Sequence, residues 1–158
     1  MGANMKLTKE QALQKLKHYC TYQERSHYEV IQKLWELKVA KSDHDLIIAT
    51  LIDEDYLNEE RFAIQYAGGK FRMKEWGKKK ILYGLREKKV SDYSIKKALA
   101  AIDEEDYLKV LNKLAAEKYN ALKGDQYLER KKKTIDYLIQ KGYEYDLINN
   151  AISSLTEK

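Results

Sequence analysis

The chain has no proline, a single cysteine and only seven glycines among its 158 residues. With Lys, Glu, Leu and Ile abundant and nothing to break a helix, this composition points to an all-α protein. Strand-like alternation is nowhere sustained. The lone Cys20 rules out an internal disulfide and fits a reducing compartment; it reads as a small buried apolar residue. No signal-peptide pattern opens the chain. Its longest apolar run, Leu46 to Ile52, falls far short of the roughly 20 residues that cross a bilayer. A cytoplasmic protein without a membrane role is therefore expected. Met1 to Asn4, ahead of Met5, reads as an addition to the natural start.

Chemistry-bearing constellations are missing as well. His18, His27 and His44 share no metal-ligand spacing with the cysteine. His44, between Asp43 and Asp45, is expected at a solvent-exposed helix start. Gly68-Gly69 and Gly77 do not form a phosphate loop. The acidic clusters Asp53 to Asp55 and Asp103 to Asp106 suit helix ends better than a metal. No catalytic residue, metal or cofactor is expected.

What the chain does contain is repetition. Leu34, Leu85 and Leu138 head similar segments at offsets of 51 and 53 residues; Ile47, Ile95 and Ile148 follow at 48 and 53. A period near 50 residues marks stacked helical modules. The expected architecture is all-α, three tandem three-helix units stacked on one another, divided at residues 5–57, 58–102 and 103–158.

Each unit supplies its own helix signals. Thr8 with Gln11 and Ser26 with Glu29 form capping boxes. The first precedes the stripe Ala12, Leu13, Leu16 and Tyr19, and the second Val30, Ile31, Leu34 and Leu37. Ser42 is expected to start a third helix with Leu46, Ile47, Thr50 and Leu51 inward. Asn58 caps the next, carrying Phe62, Ala63 and Tyr66, which Gly68-Gly69 would loosen or end. Ile81, Leu82 and Leu85 mark a fifth helix, and Ser91 caps a sixth. Leu108, Leu111, Leu114 and Ala115 line a seventh. Asp125 is expected to cap the eighth, with Leu128, Ile135, Leu138 and Ile139, and Gly142 to end it. Leu147, Ile148, Ala151, Ile152 and Leu155 mark the last. Most of the 13 tyrosines fall at core spacing.

The net charge of +5 is unevenly distributed: −1 over residues 1–57, +7 over 58–102 and −1 over 103–158. A field concentrated in the middle points to an anionic partner, nucleic acid or acidic protein. Between Lys70 and Lys89, cations alternate with aromatics. On a helix bearing Ile81, Leu82 and Leu85 inward, Lys79, Lys80, Tyr83 and Arg86 face outward, with Trp76 if the helix reaches it. We expect Arg72, Trp76, Lys78, Lys79, Lys80, Arg86 and Lys89 to form the main contact surface. Arg130 to Lys133 wraps a helix in a net-acidic unit and reads as a solvated face.

These motifs resemble the RecX family, regulators of the RecA recombinase. Tyr56-Leu57-Asn58-Glu59-Glu60-Arg61-Phe62-Ala63 is similar to its leucine-acidic-acidic-x-arginine-phenylalanine-alanine motif, with Asn58 where Asp is often found. Gly77-x-x-Lys80-Ile81-x-x-x-Leu85-x-x-Lys88-Lys89-Val90 resembles a second series, with Lys89 where the family often has Gly. Arg25-Ser26-x-x-Glu29-x-x-x-Lys33-Leu34 resembles the family's N-terminal arginine-serine segment. The resemblance spans nearly the whole chain. It implies a monomer whose three three-helix units form an elongated, curved array, which binds the groove of a RecA–single-stranded DNA filament, limits filament growth, ATPase, strand exchange and coprotease activity, and has no enzyme activity of its own. Competing readings are a nucleic-acid binder acting on single- or double-stranded DNA without RecA, a helical enzyme, and a scaffold for another acidic protein.

Overall fold

The computed structural model describes residues 6–156. The reading of Met1 to Asn4 lies outside the described residues. Nine helices are present among them: α1 (Lys9–Tyr22), α2 (His27–Glu36), α3 (Lys41–Asp53), α4 (Glu59–Lys74), α5 (Lys78–Glu87), α6 (Asp92–Ala100), α7 (Glu104–Ala121), α8 (Tyr127–Lys141) and α9 (Tyr145–Thr156). No strand occurs among the described residues, in keeping with the all-α composition. The chain folds as two compact units, residues 6–65 with 85–97 and residues 66–84 with 98–156. The division passes through α4, α5 and α6.

In the first unit, both capping boxes form. Thr8 accepts from the Gln11 amide and Ser26 from the Glu29 amide, and each partner side chain reaches back to the cap residue's N–H. Two otherwise orphaned donors are thereby satisfied at each helix start. α1, α2 and α3 pack on one another around Ala12, Leu16, Cys20, Val30, Leu34, Val39, Ile47, Leu51 and Leu57. Burying each such Leu or Ile contributes roughly 1.5–3 kcal/mol before entropy is counted. Burial pushes the Cys20 thiol up to about 11, against a partial pull from Arg25, so it stays protonated and apolar.

In the second unit α7, α8 and α9 pack mutually. Its centre is aromatic: the Tyr107 ring lies 5.8 Å from Phe71 and 5.1 Å from Tyr143. Asp103 caps α7, and Gly142 (φ +103°) ends α8 in the left-handed conformation that glycine adopts without strain.

The same clasp occurs once in α1–α3 and once in α7–α9. Arg25 stacks 3.6 Å from the Tyr19 ring centroid and donates Nε to the Tyr19 carbonyl at 3.0 Å. Arg130 repeats it on Tyr119, at 3.6 Å from the ring and 2.7 Å from the carbonyl. Arg130 thus leaves the solvated run expected of it, whereas Lys132 pairs with Asp136 and Lys133 with Asp125 and Glu129.

Several expectations need correction. α3 starts at Lys41 behind Ala40, without a side-chain cap, so Ser42 already lies in the first turn. His44 is buried, not solvent-exposed: its Nε2 lies 3.0 Å from the Val39 carbonyl and its ring meets Trp35 edge-on at 4.8 Å. Gly68-Gly69 neither ends nor breaks α4, because buried Ala67 and Phe71 hold the helix on either side of the pair. Gln126, not Asp125, precedes α8; Asp125 instead receives Lys133. Ile31, Leu46, Leu108, Leu128 and Ile139 are exposed, since a short helix buries a narrower stripe than its apolar residues could fill. Thr134 and Tyr107 take buried places on α8 and α7. Of the tyrosines only Tyr107 and Tyr143 are fully buried among the described residues.

Candidate binding surface

The expected cation cluster divides between the compact units. In the second unit, Glu75 leaves α4 with φ +57° and turns the chain into a short loop before α5. Trp76 therefore sits in that loop, half-buried, and not on the outward face of α5. The ammonium groups of Lys70 and Lys80 lie 5.0 and 4.7 Å from its ring centroid. Lys70 also lies 5.4 Å from the Tyr66 ring. Each cation–aromatic contact is worth about 0.5–1 kcal/mol at an exposed site. More usefully, the pair holds two positive charges close to one aromatic ring.

The loop is anchored by α7 and the α8–α9 turn. The Gly77 amide donates to the Lys141 carbonyl at 2.8 Å and the Lys79 amide to the Gly142 carbonyl at 2.9 Å. Tyr143 donates its hydroxyl to the Glu75 carbonyl at 2.9 Å, and Lys141 donates Nζ to the Lys74 carbonyl at 2.8 Å. Tyr107 accepts from the Lys78 amide at 2.8 Å and donates to Glu144 at 2.5 Å. Burial, then the hydrogen bond to Glu144, holds the Tyr107 hydroxyl far above the usual phenol range, so it remains a donor at any physiological pH.

These anchors sort the expected residues. Lys78 is committed to the framework: Nζ pairs with Glu104 at 3.2 Å and lies 4.8 Å from the Tyr107 ring. Lys79 is exposed and pairs with no carboxylate among the described residues. Arg72 is exposed on α4 and folds back toward Gly68. Trp76 and Lys80 are brought into contact, with Lys70, a cation outside the expected surface, as a third member. Its partnership with Trp76 spans the end of α4, where helical periodicity no longer predicts neighbours.

Arg86 and Lys89 belong to the first unit. Both are exposed, and Lys89 Nζ lies 5.9 Å from the Tyr28 ring. Lys89 has φ +61°, the left-handed conformation. Its neighbour Lys88 pairs with Glu29 at 3.1 Å. No group of three or more His, Cys, Asp or Glu is placed to hold a metal among the described residues. No described helix is long and apolar enough to cross a membrane.

Comparison with known proteins identifies the repeats. Residues 58–99 match the model of the RecX second three-helix domain and residues 104–152 that of the third. Regulatory protein RecX of Clostridium perfringens strain 13 is 34% identical, the alignment covering 84% of this chain and 62% of that protein. Regulatory protein RecX of Leuconostoc mesenteroides is 27% identical over 75% of this chain and 45% of its own length. The chain thus spans less than two thirds of the length of these relatives. The crystal structure of RecX from Lactobacillus salivarius superposes with a TM-score of 0.87 at 27% identity, covering 95% of this chain and 97% of that one. With two successive repeats matched in order and the fold shared with a solved RecX, the chain belongs to the RecX family.

Proposed function

We propose that this chain regulates the RecA recombinase, binding in the groove of the RecA–single-stranded DNA filament and limiting its growth and its ATPase, strand-exchange and coprotease activities. The observation that carries the proposal is the set of Lys70, Trp76 and Lys80, with Lys79, unpaired among the described residues, beside Lys80 in sequence, in a member of a family named for regulation. A filament groove holds DNA phosphate next to protein, and a cation–aromatic surface suits both. Cations attract phosphate in a salt-dependent way, and an aromatic ring contacts base or side chain. Arg72, Trp76, Lys78, Lys79, Lys80, Arg86 and Lys89 remain the proposed contact set. Within it Lys78 acts mainly by fixing the start of α5. The three-unit division at 5–57, 58–102 and 103–158, the monomeric state and the regulatory rather than enzymatic role are part of the same proposal.

The test is single-stranded-DNA-dependent ATP hydrolysis by the cognate RecA, with this protein titrated at fixed moderate salt. A substoichiometric fall in rate is expected, and the triple variant Lys79→Glu, Lys80→Glu, Arg86→Glu should lose it while remaining folded. An unchanged rate, alongside tight binding to bare DNA, would move the function to nucleic-acid binding without RecA. A fully active triple variant would remove the surface from the proposal.

A further inference from the structure

Away from these residues, the first unit carries a groove of about 500 Å³ where α1, the α1–α2 loop and α2 meet. Lys15, His18, Tyr19 and Tyr22 line it from α1, Arg25 from the loop and Lys33 from α2. No carboxylate among the described residues lines it. That segregation is not a by-product of a basic sequence, because residues 1–57 carry a net charge of −1.

Its groups are arranged for a particular kind of anion. The Arg25 guanidinium carbon lies over the Tyr19 ring, 3.6 Å from its centroid, and the group is pinned by its Nε bond to the Tyr19 carbonyl. Its terminal N–H groups have no acceptor among the described residues, so a planar fork is held in place with its donors unused. Lys15 has no ion-pair partner among the described residues, whereas Lys33 shares its charge with Glu36 at 3.3 Å. Tyr22 is 79% exposed, and Arg25 lies 6.0 Å from its ring. A large ring left in water beside a fixed guanidinium has no role in the core.

We propose that this groove is a nucleotide-binding site: a base stacks on Tyr22 and the attached phosphate accepts hydrogen bonds from Arg25 and Lys15. The guanidinium fork matches a pair of phosphate oxygens, and an open tyrosine face accepts any base. The volume lies within the range of about 300–1,000 Å³ that takes small ligands, and is too small for a duplex. The ligand is a free nucleotide or one unit of a single strand; the shared chemistry is a base joined to a phosphate. The site uses none of the residues assigned to the filament surface and stands or falls apart from that reading.

The test uses the full chain carrying Lys79→Glu and Lys80→Glu, which removes cations of the other surface. Binding of a fluorescent five-nucleotide oligothymidylate at low salt is followed by anisotropy. Adding Lys15→Glu and Tyr22→Ala, both at exposed positions, is expected to weaken binding about tenfold or more, while circular dichroism melts stay unchanged. Tyr22→Phe should keep the affinity, because the stacking face remains. Displacement by unlabelled ATP would identify a free nucleotide as sufficient. Displacement by unlabelled oligothymidylate alone would identify a strand. Absence of binding in the starting variant, affinity unchanged by Lys15→Glu and Tyr22→Ala, affinity lost with Tyr22→Phe, or equal affinity for an abasic oligomer would each overturn the proposal.

Discussion

Lys89 shows how one residue can carry two demands. It holds φ +61°, a conformation that costs an L-residue roughly 1–2 kcal/mol and glycine almost nothing. The RecX family often has Gly at the matching position. Lys89→Gly should therefore stabilise the protein by roughly 0.5–1 kcal/mol, the relief of strain being partly offset by glycine's larger unfolded entropy. Urea unfolding of the variant checks this, and an unchanged or lower midpoint would mean that Lys89 is not strained. His44 teaches the opposite lesson. Flanking aspartates suggested solvent, but ring contact with Trp35 and a bond to the Val39 carbonyl decide its place. Neither partner is marked by sequence spacing.

Helix starts were largely legible, and helix stops were not. Thr8, Ser26, Asn58, Ser91 and Asp103 each accept a bond from a backbone amide early in the helix that follows. Capping chemistry is local, so sequence reports it. The chain bends left-handed after α2, α3, α4 and α5 at Lys38, Asp55, Glu75 and Lys89, none of them glycine. Only Gly142 announces its helix end. The glycines themselves separate into those with a steric task and those without. A Cβ on Gly77 would overlap the Gly142 carbonyl group, where the α4–α5 loop closes on the α8–α9 turn. A Cβ on Gly69, inside α4, would meet nothing within 4 Å. Gly77→Ala should lower stability by about 1–3 kcal/mol through overpacking against backbone. Gly69→Ala should raise it by up to about 1 kcal/mol through helix propensity. Thermal melts of the two variants must shift in opposite directions; a shared direction would refute the close approach at Gly77.

At the scale of the whole molecule, repeat and compact unit are different things. The family models match residues 58–99 and 104–152 as successive three-helix domains, yet the compact units cut α4, α5 and α6 and assign each a part of the middle repeat. Phe62, Ala63, Leu85 and Ile95 are buried in the first unit; Ala67, Phe71, Ile81 and Ala98 are buried in the second. Such a segment cannot complete a core alone, as expected where modules depend on neighbours. A peptide of residues 58–102 should show weak helicity and no cooperative melt by circular dichroism, whereas the full chain should melt cooperatively. A cooperative transition in the peptide would establish the middle repeat as an independent domain.

The sequence by itself determined what local chemistry determines. The absence of proline and the period near 50 residues specified an all-helical repeat; capping side chains marked helix starts; charge placed the excess of cations in the middle third. Only the tertiary structure decided which cations have partners. Lys78 and Lys88 are tied to Glu104 and Glu29, distant in sequence, while Lys79 is left unpaired among the described residues. It likewise brought Lys70 to Trp76 across a helix end and gathered Lys15, Tyr22 and Arg25 into one groove in a segment of nearly zero net charge. The physical reason is range. Caps and helical stripes are settled within four residues, whereas ion pairing and groove formation depend on backbone paths that bring distant side chains within a few ångströms.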